Sequence, residues 1–221
     1  MNTAVLTKTY SAPRLCEKEI LRYAGSHSAV NETQKLLNTC LDIAKDKFVY
    51  KVCYCRLPVN IVEDICNLGA FKVKSLKLAQ NLKGCHSVII FGATVGVEID
   101  RLIAKYSRIS PAKALMLQAM GAERIEALCD TFCEDIKRDL KTNLKPRFSA
   151  GYGDLPLDIQ KQIFKLLNCS KHIGLSLNDS LIMSPSKSVT AFLGLTDETE
   201  KYVTNKCEFC DNKDCAFRGV S

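Results

Sequence analysis

The stretch that most narrows the choice of fold is residues 110–140. Ser110 suits a helix N-cap, and Pro111 suits the first helical position, where a missing N–H has no partner to lose. Beyond them Ile125, Leu128, Phe132, Ile136 and Leu140 recur at three- and four-residue spacing and form one apolar stripe. Glu123, Glu126, Asp130 and Glu134 fall on the other side. A helix of this length has to lay its stripe on an apolar layer.

The rest of the chain supplies that layer. Residues 87–91 are a near-continuous apolar run bounded by Gly84 and Gly92, the pattern of a strand covered on both faces. Residues 48–57 are rich in Val, Tyr and Phe and end at Pro58, which reads as a second strand. Further strands are expected near residues 181–183 and 188–195. Helices are expected over 14–24, 31–44, 97–106 and 155–167. Asn31 and Gln34 have the spacing of a capping box at the start of the second of these. Gly92-Ala93-Thr94-Val95-Gly96 lacks the third glycine of a dinucleotide loop and reads as a tight strand-to-helix turn. Strands and helices in this irregular order indicate an α+β fold rather than a βαβ array.

Charge and cysteine content restrict function. The net charge of +7 comes from 31 basic and 24 acidic residues spread along the chain, with no basic block interleaved with aromatics. That gives no reason to expect a nucleic-acid partner. No run of about 18 apolar residues exists to span a membrane. Residues 1–13 carry no apolar signal core, so the twelve cysteines read as reduced thiols of a cytoplasmic protein. Cys40, Cys129 and Cys133 sit among apolar residues and are expected to pack as small hydrophobes. No triad, HExxH or P-loop pattern is present, and His27, His86 and His172 have no metal-like neighbours.

Two segments carry candidate chemistry. The first is Arg147-Phe148-Ser149-Ala150-Gly151-Tyr152-Gly153-Asp154. Arginine offers a planar fork of donors for a carboxylate. Glycine lets backbone approach a ligand closely, and tyrosine adds a flat face with a polar tip. Composition alone reads the run as a polar turn; its residues together suit a small zwitterion bearing an aromatic group. The second is Cys207-x2-Cys210-x4-Cys215, where a C-x2-C pair can reach one metal ion. Three thiols leave one ligand missing, which Cys53, Cys55, Cys66 or a partner's group could supply. Zinc and an iron–sulfur cluster both suit such thiolates. Residues 1–200 are read as one domain and 201–221 as a cysteine-bearing tail.

The Arg147–Tyr152 run resembles the R-x-x-x-G-Y signature of the activation domain of cobalamin-dependent methionine synthase. Three other segments resemble that family in the same order: Lys18-Glu19-Ile20-Leu21-Arg22-Tyr23-Ala24-Gly25, Val88-Ile89-Ile90-Phe91-Gly92-Ala93-Thr94-Val95-Gly96, and the stretch from Leu177 through Ser184-Pro185-Ser186-Lys187-Ser188-Val189. The resemblance implies a twisted, mainly antiparallel sheet with flanking helices. It implies an S-adenosylmethionine site formed by Glu126, Arg147, Ser149, Ala150, Gly151 and Tyr152, with Arg147 on the ligand carboxylate and Glu126 on its ammonium. Glu126 reads equally as part of a solvated acidic face with Glu123, Asp130 and Glu134. Ala150 stands where the family commonly has proline, and the family's N-terminal aspartate contact has no counterpart that can be placed. The implied role is reactivation of cobalamin on a separate methionine synthase subunit, with an electron from a flavodoxin or ferredoxin. The alternative is a metal-binding electron-transfer adaptor working through the cysteine tail.

Overall fold

The structure is a computed structural model and describes residues 4–26 and 31–197. A five-stranded antiparallel sheet, in the order β1-β2-β6-β10-β7, forms its centre. The strands are β1 (Leu6–Tyr10), β2 (Tyr50–Pro58), β6 (Ser87–Thr94), β10 (Ser188–Thr196) and β7 (Asn143–Leu144). A small sheet of β3 (Asn60–Val62), β4 (Ile65–Asn67) and β5 (Lys72–Lys74), and a two-stranded ribbon of β8 (Ser176–Leu177) and β9 (Met183–Ser184), lie outside it. The helices are α1 (Glu17–Tyr23), α2 (Asn31–Ala44), α3 (Leu76–Asn81), α4 (Glu98–Ile109), α5 (Pro111–Leu140), α6 (Ile159–Leu167) and α7 (Cys169–Ile173). The expected α+β class and antiparallel sheet are both present.

Both faces of the central sheet are buried, and strand alternation divides them cleanly. Tyr50, Val52 and Tyr54 of β2, Ile89, Phe91 and Ala93 of β6, and Ala191, Leu193 and Leu195 of β10 point to one core. Helices α1, α2 and α5 cover this side through Ile20, Leu37, Cys40, Leu117, Leu128, Phe132 and Ile136. Phe132 packs against Phe91 and Tyr54 with ring centroids 4.8 and 5.2 Å away. Cys53, Cys55, Val88, Ile90 and Phe192 point the other way, against α3, α6, α7 and the loop after β7. Each fully buried side chain of this size contributes about 1.5–3 kcal/mol.

Several expectations are corrected. β6 does not end at Gly92 but runs to Thr94. A Cβ at Gly92 would lie 3.2 Å from Cys169 Sγ and 3.7 Å from Cys53 Sγ, so the glycine makes room for two facing thiols inside the sheet layer. The turn is therefore confined to Val95 and Gly96, the latter at φ +87°. Gln34 donates its amide to Glu17 and Asn38 rather than standing as a capping partner, and Asn31 is already helical. α6 begins at Ile159, not at residue 155. Leu140, at the end of α5, is 40 % exposed and does not extend the buried stripe.

Glu123 is the largest departure. It was expected on the solvated side of α5 but is buried beside the equally buried Arg124. Arg124 bonds Glu123 at 2.5 and 2.6 Å and reaches the carbonyls of Pro13 and Arg14 at 2.7 and 2.8 Å. Glu123 in turn accepts from the Cys16 amide at 3.0 Å. The pair fastens the strand-free segment before α1 onto α5.

Candidate functional site

The Arg147 loop leaves the sheet edge in two steps. After β7, the Lys145 amide bonds the Gly194 carbonyl at 2.9 Å, and Phe148 pairs with Phe192 through two backbone bonds. Phe148 turns toward the core that holds Phe192. Arg147 turns toward α5, on the opposite side of the sheet, where Glu126 receives its Nη2 at 2.8 Å and Asp130 its Nη1 at 2.7 Å. Cys133 Sγ lies 4.0 Å from Nη1. Glu126 and Asp130 are one helical turn apart, so their carboxylates stand on the same face.

Exposure separates the three partners. The Arg147 side chain is 11 % exposed, Glu126 36 % and Asp130 63 %. Burial acts to lower the Arg147 pKa, but the carboxylates of Asp130 and Glu126 oppose it and the net direction is up. The guanidinium is a fixed charge. Tyr23 of α1 feels the charge of Glu126 in this cluster. Burial first, and the charge of Glu126 second, raise its phenol above the usual range. Its ring carries the Arg22 guanidinium at 4.4 Å.

Past Phe148 the backbone makes a tight turn. The Tyr152 amide bonds the Ser149 carbonyl, and the Gly151 amide bonds the Leu155 carbonyl at 2.9 Å. Gly151 has φ +87° and Gly153 φ +56°, conformations that side chains resist. Ala150 is buried in the second core, and Ser149 is half-buried. Tyr152 is the apex of the turn and is 69 % exposed. The turn ends at Asp154, whose carboxylate accepts from Ser75 Oγ and the amides of Leu76 and Lys77 at 2.6–3.1 Å. It thereby caps α3 alongside Ser75 and ties the loop to that helix through hydrogen bonds.

The structure thus brings together Glu126 and Arg147, with Ser149, Ala150, Gly151 and Tyr152 in the adjoining turn. Asp130 and Tyr23 join them and were not singled out from sequence. Asp130 read as one more residue of an acidic stripe, although its i,i+4 spacing from Glu126 could have indicated a shared partner. Lys187 is half-buried with its stem across Gly121, 2.8–3.1 Å from where a Cβ would stand. Burial lowers its pKa, with Asp100 opposing.

Cys207, Cys210 and Cys215 lie outside the described residues. Among the described residues no cluster of three or more His, Cys, Asp or Glu is arranged to hold a metal ion. Cys53, Cys55 and Cys66 are fully buried. Burial pushes the Cys55 thiol up to about 12 and the Cys66 thiol up to about 11. Among the described residues no helix is long and apolar enough to cross a membrane.

Residues 78–218 match the family model described as "Vitamin B12 dependent methionine synthase, activation domain". No curated protein matches the chain. Among solved structures, one described as "Crystal Structure of the MetH Reactivation Domain bound to AdoHcy" is similar, with a TM-score of 0.66 and 17 % identity. The similarity covers 90 % of this chain and 80 % of that one.

Proposed function

Because the chain belongs to the family of vitamin B12-dependent methionine synthase activation domains, we propose that it binds S-adenosylmethionine at the Arg147 loop and serves the reactivation of cobalamin held by a partner protein. The observation that carries this reading is the pairing of Arg147 with Glu126 at 2.8 Å beside an exposed tyrosine. A buried cation next to a carboxylate is the complement of an amino acid's carboxylate and ammonium, and such charge-assisted bonds are the strong ones. Tyr152 offers a ring face for the nucleoside. The similar solved domain is described as bound to AdoHcy, which has the same amino-acid end.

S-adenosylmethionine supplies a methyl group on a sulfonium, already a good leaving group. The protein's own residues have then only to bind and aim it, which is catalysis by positioning. That suits a site built of one guanidinium, carboxylates and a ring, without a triad. Arg147 would hold the carboxylate and Glu126 the ammonium. The positive-φ glycines would bring the backbone of Ser149–Tyr152 close to the ligand. A flavodoxin or ferredoxin would supply the electron that reactivation needs.

Calorimetric titration with S-adenosylmethionine tests the reading. Arg147→Ala should weaken binding by about 1.5–3 kcal/mol, the range for hydrogen bonds to charged groups. Equal affinities for wild type and variant would refute it.

A further inference from the structure

Arg147 faces two carboxylates, and a bound amino acid would bring a third. Three anions on one guanidinium repel one another at close range. One of them has to leave, and the structure distinguishes the candidates. Glu126 lies deeper, at 36 % exposure, and is the group suited to receive the ligand's ammonium. Asp130, at 63 %, stands on the other nitrogen of the fork, Nη1, and can pass into water with little desolvation change.

We infer that Asp130 is a built-in competitor for the ligand carboxylate: it occupies one side of the Arg147 guanidinium when no ligand is present and yields it on binding. The inference rests on the S-adenosylmethionine reading. Asp130 is thereby a specificity-determining residue. It keeps the guanidinium paired and oriented, and it lowers affinity for every ligand that must displace it. A ligand without a carboxylate leaves Asp130 where it is and meets no such competition. The exchange is isoelectric at Arg147, since one carboxylate replaces another, so its cost falls on the carboxylate end of a ligand and not on the nucleoside.

Asp130→Asn tests this, with Glu134→Gln as a control that removes the same charge from an exposed position one turn further along α5. Binding of S-adenosylmethionine, S-adenosylhomocysteine and decarboxylated S-adenosylmethionine is measured by calorimetry at fixed salt. Asp130→Asn should bind the two carboxylate-bearing ligands about two- to fivefold more tightly, the scale of one exposed ion pair. It should bind the decarboxylated ligand no more tightly than wild type does. Glu134→Gln should leave all three affinities unchanged. Unchanged or weaker binding of the carboxylate ligands to Asp130→Asn overturns the inference while leaving the parent reading intact. So does a gain shared equally by the decarboxylated ligand or by Glu134→Gln, since it would be a general charge effect. Wild-type protein that binds none of the three overturns both.

Discussion

Phe148 and Phe192 exchange two backbone hydrogen bonds, at 3.0 and 2.8 Å. This one pair sets which way its neighbours point. Successive residues of extended chain face opposite sides, so anchoring Phe148 in one core delivers Arg147 to the α5 side. The other end of the loop is held by a side chain rather than by backbone pairing. Asp154 is that clamp, and the loop between the two anchors contributes the exposed Tyr152.

Removing the clamp should loosen the turn without unfolding the sheet. Asp154→Ala is expected to lower unfolding stability by about 1 kcal/mol, the scale of a lost helix cap, with solvent screening at this exposed site keeping it there. A urea titration measures it. An unshifted midpoint would mean that the glycine turn holds itself.

Asp154 and Asp135 also give the protein an acid-sensitive component. The Ser75 hydroxyl, then the Lys77 and Leu76 amides, hold the Asp154 carboxyl below its ordinary 3.8. The Lys8 ammonium, assisted by the Tyr10 hydroxyl, does the same for Asp135. Both groups bind protons less readily folded than unfolded. Their stabilisation is present above about pH 4 and lost as the pH falls through the lowered values. The double variant Asp135→Asn/Asp154→Asn should therefore show a flatter stability profile below about pH 4 than wild type. Parallel profiles would exclude these two as the source.

The Glu123–Arg124 pair predicts an asymmetric response. Glu123→Ala leaves a buried guanidinium without its counter-charge and should cost about 3–5 kcal/mol. Replacing both by leucine should cost less, because no charge is then left in the interior. Thermal unfolding of the three proteins decides it; a double variant worse than the single one contradicts the account.

Thiol labelling reports burial residue by residue. Of the described cysteines, Cys16 is exposed, whereas Cys40, Cys53, Cys55, Cys66, Cys129 and Cys169 are buried. Under native conditions iodoacetamide should modify Cys16 early and these six only on denaturation, read by peptide mass spectrometry. Burial raises Cys129 strongly, which removes the reactive thiolate as well as access. Early modification of Cys129 would argue for an open helix layer.

The large elements were legible because their signals are local. Pro111 marked the start of α5, and the apolar run after Gly84 marked β6. The Gly151 and Gly153 turn was legible for the same reason, since positive φ selects the residue. What escaped was set by distant partners. β1 alternates too weakly to announce itself, because one edge is paired with β2 and most of its side chains stay exposed. Gly92 looked like the end of a strand; its absent side chain is explained only by the thiols of Cys53 and Cys169, which no nearby residue reveals. Glu123 and Asp130 looked alike on a helical wheel. One is buried by the incoming N-terminal segment, the other is drawn to an arginine from across the sheet edge.

Those two carboxylates share a single rigid support. Seven residues of helix separate them by about 10 Å along the axis. Glu123 holds the entrance to α1, and Asp130 with Glu126 holds the guanidinium. A displacement of the amino-terminal segment cannot be absorbed between them, because a hydrogen-bonded rod does not stretch. α5 works as a common yardstick: the wall carrying Tyr23 and the fork of Arg147 are both measured from it, so their spacing survives motions that carry the whole helix along.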